Sequence, residues 1–249
     1  MTVGTSKRLY DVDSWTYHDP LGLAFDGKTA LVVVDMQYHD TDRTQGYCLA
    51  VEKLDPGSMA YFCDRVEEVV IPTIRKLLAA FRAAGAPVIY VTLGSDYRDY
   101  RDLPRRGRRS LQNLEERSGV SGIFWSGNSA FEIRRELAAR PDETVIRKVT
   151  AGAFSSSAID QVLRSMEVEN LVFTGVTTNC CVESTARTAA ELGYGCVLVD
   201  EGMAEFDAEA HDATLRSFHF NFGHILRDAD AVVGEMAKSR APEAAGVTG

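Results

Sequence analysis

Three side chains in this sequence have the types and the placement for nucleophilic catalysis: Asp35, Lys148 and Cys181. Cys181 lies in Phe173-Thr174-Gly175-Val176-Thr177-Thr178-Asn179-Cys180-Cys181-Val182-Glu183-Ser184-Thr185-Ala186. The apolar run Leu171-Val172-Phe173 reads as a buried strand that breaks at Gly175, with a helix restarting near Thr178. A thiol in a first helical turn meets unpaired N–H groups and about half a positive charge, which favours the thiolate and predicts a lowered pKa. Asp35 directly follows Thr29-Ala30-Leu31-Val32-Val33-Val34, a run apolar enough for a strand covered on both faces. Lys148 closes a further run, Thr144-Val145-Ile146-Arg147-Lys148. Ligands of open α/β sheets bind at the carboxyl ends of strands. Three such ends here present a carboxylate, an ammonium and a thiol, the pattern of a nucleophile with a base and a charge partner. Taken singly, Cys181 reads equally well as a small buried apolar residue, and Asp35–Lys148 as a structural salt bridge. Their convergence favours chemistry.

The elements that must position these residues alternate between strand and helix. Further strands are expected at residues 88–92, 171–175, 196–199 and 224–227. Helices are expected from Pro72 to Gly85, where Gly85 and Pro87 stop the chain, and near residues 129–139, 157–166, 178–192, 208–221 and 229–237. Gly193 is the expected stop of the 178–192 helix. Residues 94–128 read as a long irregular insertion containing Arg105-Arg106-Gly107-Arg108-Arg109, a solvated loop rather than an anion site. Such alternation predicts a three-layer α/β/α fold with a mostly parallel central sheet. Residues 1–28 form a polar arm whose Trp15, Tyr17 and Pro20 are expected to pack on something, such as a neighbouring subunit. Residues 29–237 form one domain, and the Ala/Gly/Pro-rich residues 238–249 are expected to be disordered.

On the Val34-Asp35-Met36-Gln37 segment, the Arg147-Lys148 pair with Ala153-Phe154 following, and Gly175 through Ala186, the chain resembles the isochorismatase-like cysteine hydrolases. Order and spacing agree from about Lys28 to Val233, and the Gly-Val-Thr-Thr-Asn-x-Cys-Val-Glu-Ser-Thr-Ala stretch is specific. The resemblance implies a Rossmann-like isochorismatase fold and a catalytic triad of Asp35, Lys148 and Cys181. It implies that Asp35 takes the thiol proton while Lys148 holds Asp35, and that the thiolate attacks a carbonyl carbon. The oxyanion would be met by the backbone N–H groups of Thr177 and Cys181, with a cis peptide at Val176–Thr177. Asp35 would then protonate departing ammonia and activate the water that opens the thioester. For this base to serve, burial must raise an acid that a lysine lowers and the helix terminus must lower the thiol, narrowing the gap, and the three groups must titrate as a unit. Gln37, Tyr38 and Phe154 are the expected substrate-binding residues, whereas the helical spacing of Phe218 and Phe222 marks them first as core.

Relatives that act on nicotinamide carry an Asp-x-His and a further His for a metal near the second strand. Here that region is Leu93-Gly94-Ser95-Asp96-Tyr97-Arg98-Asp99-Tyr100. His39 alone makes no site, so no metal and no cofactor is expected. Isochorismatases proper lack the nucleophilic cysteine, so Cys181 points to C–N cleavage. The insertion and the Gly-Val-Thr-Thr-Asn segment resemble the branch holding N-carbamoylsarcosine amidase, biuret hydrolase and ureidoacrylate amidohydrolase, with maleamate amidase the nearest competitor. The expectation is an amidohydrolase acting on a small linear amide or ureido compound. A non-catalytic binding or assembly subunit is one alternative. A redox protein using Cys180–Cys181 is another, and predicts that Cys180 is indispensable.

Composition sets outer bounds. A chain of 249 residues, 45% hydrophobic, suits one large core or at most two domains. A net charge of −9 argues against nucleic acid or an anionic membrane as partner. No apolar stretch reaches the roughly 18 residues a membrane span needs, and the polar N-terminus lacks a signal-peptide core. Five cysteines without framework spacing suit a reducing cytoplasm. A small-molecule substrate and a homo-oligomer, dimer or tetramer, complete the expectation.

Overall fold

In the computed structural model, which describes Leu23 and residues 28–240 with side chains to residue 237, the apolar runs form one parallel sheet. Its strands are β1 (Thr29–Val34), β2 (Val88–Leu93), β3 (Thr144–Lys148), β4 (Asn170–Val176), β5 (Gly195–Ala204) and β6 (His224–Leu226), in the order β3-β2-β1-β4-β5-β6. Every residue of β1 is buried, as a strand covered on both faces requires. The register pairs Val34 with Val91 on one side and with Gly175 on the other. The chain winds outward from β1 to β3, then returns beside β1 as β4. The carboxyl ends of β1 and β4 therefore flank the switch point where such sheets open a crevice.

One face of the sheet is covered by α3 (Ala60–Arg65), a π-helical stretch (Val66–Val70), α4 (Ile71–Ala84) and α9 (Ala229–Arg240). Phe62, Ile74, Leu77, Phe81 and Val232 bury against Leu31 and Val33 there. The other face holds α6 (Ile159–Ser165), α7 (Glu183–Glu191) and α8 (Ala208–Asn221), with Leu163, Ala186, Leu215 and Phe218 against Val32 and Phe173. Gly85 (φ 67°) and Gly193 (φ 95°) stop α4 and α7 in the left-handed conformation.

Three expectations need correction. Pro72 does not open its helix: the helical run starts at Ala60, and the π turn lies just before Pro72, where a missing N–H interrupts the ladder. Residues 129–139 form no helix, only single 3₁₀ turns at Ser129–Phe131 and Arg135–Leu137. Tertiary hydrogen bonds pull the intervening chain straight, from Tyr38 N–H to the Glu132 carbonyl (3.0 Å) and from Arg134 N–H to the Met36 carbonyl (2.8 Å). The insertion is not irregular either. It contains α5 (Arg105–Ser118), and Leu111 buries with Tyr100, Leu103 and Ile123 against Ala50 of α2 (Gly46–Leu54) in a small separate core. The aromatic arm at 1–28 and the tail at 238–249 fall almost wholly outside the described residues.

Candidate active site

Asp35 follows the last residue of β1 in a left-handed conformation (φ 51°) and is 1% exposed. A non-glycine residue held there is strained by about 1–3 kcal/mol, a feature that clusters at functional sites. Across the sheet, Gly175, the partner of Val34, has φ 111°, and a Cβ at that position would run into the Val34 carbonyl oxygen. Only glycine lets β4 approach β1 closely enough to set the following turn beside Asp35. Lys148, the last residue of β3, is fully buried and reaches past the end of β2 to place Nζ 2.7 Å from Asp35 Oδ2. Among the described residues, Asp35 Oδ1 is buried with no hydrogen-bond partner. The Cys181 thiol interacts with both members of the pair.

Cys181 sits in a π-helical turn, Thr178–Val182, that leads directly into α7. The Val176–Thr177 peptide preceding it is cis. The Thr177 carbonyl accepts from the N–H groups of Cys180 and Val182, each at 3.2 Å. Thr185 donates its hydroxyl to the Cys181 carbonyl (2.6 Å) and accepts the Ala153 N–H (3.1 Å), so the loop after β3 is tied to the cysteine turn. Glu205, just beyond β5 and 2% exposed, accepts the Asn179 N–H through Oε2 (2.9 Å) and the Phe206 N–H through Oε1 (2.9 Å). A carboxylate at this helix terminus satisfies a donor that would otherwise be orphaned.

The electrostatics follow from burial. Burial pushes the Asp35 carboxyl above the ordinary carboxylate value, against the pull of the Lys148 charge. Burial works against the Lys148 ammonium too, but Asp35, and after it Cys181, outweigh this and hold it above its ordinary value. The Cys181 thiol is not lowered, as its helical position alone predicts. Its hydrogen bond with Cys180, then burial, then the Asp35 charge push it well up. The neighbouring, exposed Cys180 is brought down to about 7, chiefly by the same hydrogen bond. The resting arrangement is thus a buried thiol beside a carboxyl whose basicity burial has increased and whose Oδ1 is open to a proton. The raised carboxyl is the better proton acceptor and the raised thiol the poorer proton donor, so the two shifts oppose each other, and the nearby Lys148 charge is what favours the thiolate.

The expected substrate contacts lie at different depths. Gln37 is buried, with its amide nitrogen donating to the Phe131 carbonyl (2.7 Å) and its amide oxygen accepting the Leu93 N–H (2.7 Å). Those bonds bind the loop after β1 to β2 and to the 3₁₀ turn Ser129–Phe131. Tyr38 is half-buried, accepts the Arg135 N–H at its hydroxyl (3.1 Å) and lies under the Arg134 guanidinium. Phe154 is half-buried and packs toward Tyr194, with ring centroids 6.1 Å apart. Phe218 is core and Phe222 lies under Arg187. His39 is buried against Phe124 and bonds the Leu93 carbonyl (3.1 Å). Asp96, in the region after β2, is paired with Arg147.

Sequence reasoning missed Glu205: the acid that directly follows the apolar run Cys196–Val199 is Asp200, and Glu205 comes only after the full length of β5. It also missed Tyr47 and Phe206, whose rings stack 5.9 Å apart beside the Glu205 carboxylate. Neither carries a sequence signal, because one comes from α2 and the other from the turn after β5.

Among known proteins, the chain is similar to the ureidoacrylate amidohydrolase RutB of Pseudomonas syringae pv. syringae (strain B728a), 35% identical over 207 residues and 80% of each chain. The RutB of Stutzerimonas stutzeri (strain A1501) is 34% identical over 226 residues, 88% of this chain and 86% of that one. The fold matches the crystal structure of a cysteine hydrolase from Pseudomonas syringae pv. phaseolicola 1448A (TM-score 0.72, 23% identity, 88% of this chain and 97% of that one). It also matches N-carbamoylsarcosine amidase from Thermoplasma acidophilum (TM-score 0.58, 22% identity, 82% and 97%). The isochorismatase domain model matches residues 29–230, a span that holds β1 through β6 and all three candidate catalytic side chains, and the chain belongs to the isochorismatase family.

Proposed function

We propose that this protein is a cysteine amidohydrolase that cleaves a C–N bond of a small linear ureido or carbamoyl compound and releases ammonia. The observation that carries the proposal is the buried Lys148–Asp35 pair with Asp35 Oδ1 unpartnered beside the Cys181 thiol. Asp35 Oδ1 takes the thiol proton, and the sulfur attacks the carbonyl carbon. Lys148, charged throughout, offsets the negative charge that then moves onto the sulfur. The tetrahedral oxyanion is met by the Thr177 and Cys181 N–H groups. Preorganised donors of this kind are worth roughly a hundredfold or more in rate. Asp35 returns its proton to the departing nitrogen, leaving a thioester. Water then gives a proton to Asp35 as it adds to the thioester carbon, and the carbamate or carboxylate leaves as the thiol re-forms.

The relatives named ureidoacrylate amidohydrolase support the ureido class. Phe154 and Tyr38 are proposed to line the substrate pocket, while Gln37, with its amide committed to backbone, shapes it. The proposal includes no metal and no cofactor, a homo-oligomeric assembly and a cytoplasmic setting. Among the described residues, no helix is long and apolar enough to cross a membrane.

The test is ammonia release from biuret, N-carbamoylsarcosine, ureidoacrylate, maleamate and nicotinamide, by wild type and by Cys181→Ser. Turnover of a ureido compound confined to wild type is the expected result. Equal turnover by both proteins, or none by wild type with its thiol shown to be reduced, overturns the proposal.

A further inference from the structure

The turn that carries Cys181 has a further anchor, besides Thr185 and Glu205, which the chemistry above does not use. Thr178, the first residue of that turn, is fully buried, and its Oγ1 lies 2.8 Å from Nδ1 of His211 in α8. His211 is 3% exposed, and its Nε2 lies 2.8 Å from Asp200 Oδ1. Arg65, at the end of α3, donates to Asp200 Oδ1 (3.0 Å) and to the carbonyls of Asp200 (3.0 Å) and Met203 (2.9 Å). A chain of polar groups therefore runs from one face of the sheet, through Asp200 within β5, to the cysteine turn.

The partners assign the protons. An ionised Asp200 only accepts, so Nε2 carries the ring hydrogen. The Arg65 nitrogen 3.2 Å from Nε2 only donates, so its hydrogens go to Asp200. In the tautomer with its hydrogen on Nε2, Nδ1 is an acceptor and the Thr178 hydroxyl donates to it. The side chain of Thr178 is thereby held in one orientation. It stands between Thr177 and Cys181, whose N–H groups are the proposed oxyanion donors.

We propose that His211 is a positioning residue for the reaction: it holds the Thr178 hydroxyl, and through it keeps the Cys181 turn in register with Asp35. This rests on Cys181 being the nucleophile. A displacement of about 1 Å at a reacting atom lowers rates on the order of a hundredfold, so a bond that fixes the turn acts on kcat.

The experiment uses the full chain with Thr178→Val, His211→Leu and His211→Asn. Valine keeps the shape of threonine without its hydroxyl. Asparagine places a carbonyl oxygen near the Nδ1 position and accepts the same proton. Thr178→Val and His211→Leu are expected to lower kcat for ammonia release about ten- to a hundredfold, with KM changed less than about threefold. His211→Asn is expected to stay within about fivefold of wild type, and the Thr178→Val/His211→Leu double variant to be no slower than the slower single, since both remove one bond. Wild-type kcat per folded molecule in Thr178→Val overturns the proposal, and that variant decides the matter if His211→Leu does not fold.

A second readout needs no substrate. Alkylation by iodoacetamide, mapped by mass spectrometry to Cys181 as distinct from Cys180, reports the coupling of the thiol to its neighbours. Asp35, Lys148 and Cys180 are the charged and titratable groups that act on it, and none is changed in these variants. A moved turn shifts the pH profile of Cys181 alkylation in Thr178→Val and His211→Leu, and His211→Asn restores it. Profiles that superimpose on wild type overturn the proposal. A wild type that alkylates at Cys181 but hydrolyses no amide sinks the proposed function, and the profiles still decide the role of His211.

Discussion

Replacing Lys148 with methionine removes an ammonium but leaves Asp35 in its buried place. Asp35 then has an ionised carboxylate without its charge partner, since Oδ2 loses its 2.7 Å contact and only the Cys181 thiol remains beside it. The carboxylate escapes by taking a proton, and the cost of that escape can be worked out. Relative to an ordinary value of 3.8, holding a carboxyl neutral at pH 7 costs about 4 kcal/mol, at about 1.36 kcal/mol per unit. This agrees with the roughly 3–5 kcal/mol lost when one partner of a buried pair is removed. The sign follows from linkage. Above pH 3.8 the folded variant binds a proton that the unfolded chain has released, so stability falls as pH rises, by about 1.36 kcal/mol per unit. The reference is Asp35→Asn/Lys148→Met, which carries no charge at either position. Asparagine tolerates the left-handed φ of 51° that most residues resist, so the reference adds little backbone strain. Urea unfolding followed by circular dichroism, with reductant present, should find Lys148→Met about 4 kcal/mol below the double variant at pH 7. At pH 5 the gap should shrink to about 1.6 kcal/mol. A gap that is absent, or that does not change with pH, refutes the claim that Lys148 compensates a desolvated Asp35.

Wild-type kcat/KM should rise with pH along a limb lying above the ordinary carboxylate value, because burial raises Asp35 and the base must be ionised to accept the thiol proton; a limb at or below 3.8 contradicts this. The plateau should extend far into the basic range, since Lys148 is held above its ordinary value and stays charged. Cys181→Ser should abolish ammonia release, whereas Cys180→Ser should stay within about tenfold of wild type; complete loss in Cys180→Ser would favour a dithiol chemistry instead. Gly175→Ala should lower stability by about 3 kcal/mol or more, from the positive φ together with the clash at Val34, read as a fall in Tm of roughly 6 °C or more; an unchanged Tm would mean that β1 and β4 separate easily. Glu205→Ala should cost about 1 kcal/mol of stability by uncapping Asn179 N–H, measured by urea unfolding, and an unaffected midpoint would mean that water replaces the carboxylate.

What was legible in the sequence was whatever one strand or one helix decides by itself. A strand buried on both faces must be apolar throughout, so β1 and β4 announce themselves and Asp35 is conspicuous as the charge that ends the run. Gly85 and Gly193 are legible for a similar reason, since a left-handed residue at a helix end selects glycine. The helix α5 was not. It rests on α2 through little more than Leu111 and Leu114, so it shows no apolar stripe. Pro104 before it and Gly119 (φ 70°) after it were the available signals. The segment around residues 129–139 failed in the opposite direction. Its helix-forming composition yields to backbone bonds with Met36 and Tyr38, nearly a hundred positions away.

The candidate site divides along the same line. Asp35, Lys148 and Cys181 each close or follow a strand of one parallel sheet, so their meeting is a consequence of topology. The protonation of the cysteine is not. Position on the helix argues for a lowered thiol, yet the hydrogen bond with Cys180, burial and the Asp35 charge reverse it. Two of those three depend on packing that no local window contains. The same holds for the Arg65–Asp200–His211–Thr178 chain, whose members come from α3, β5, α8 and the cysteine turn. Histidine at position 211 looks like one more residue on the buried side of a helix. Only the fold shows that its two nitrogens face an obligate acceptor and a hydroxyl, a placement that ties the cysteine turn to Asp200.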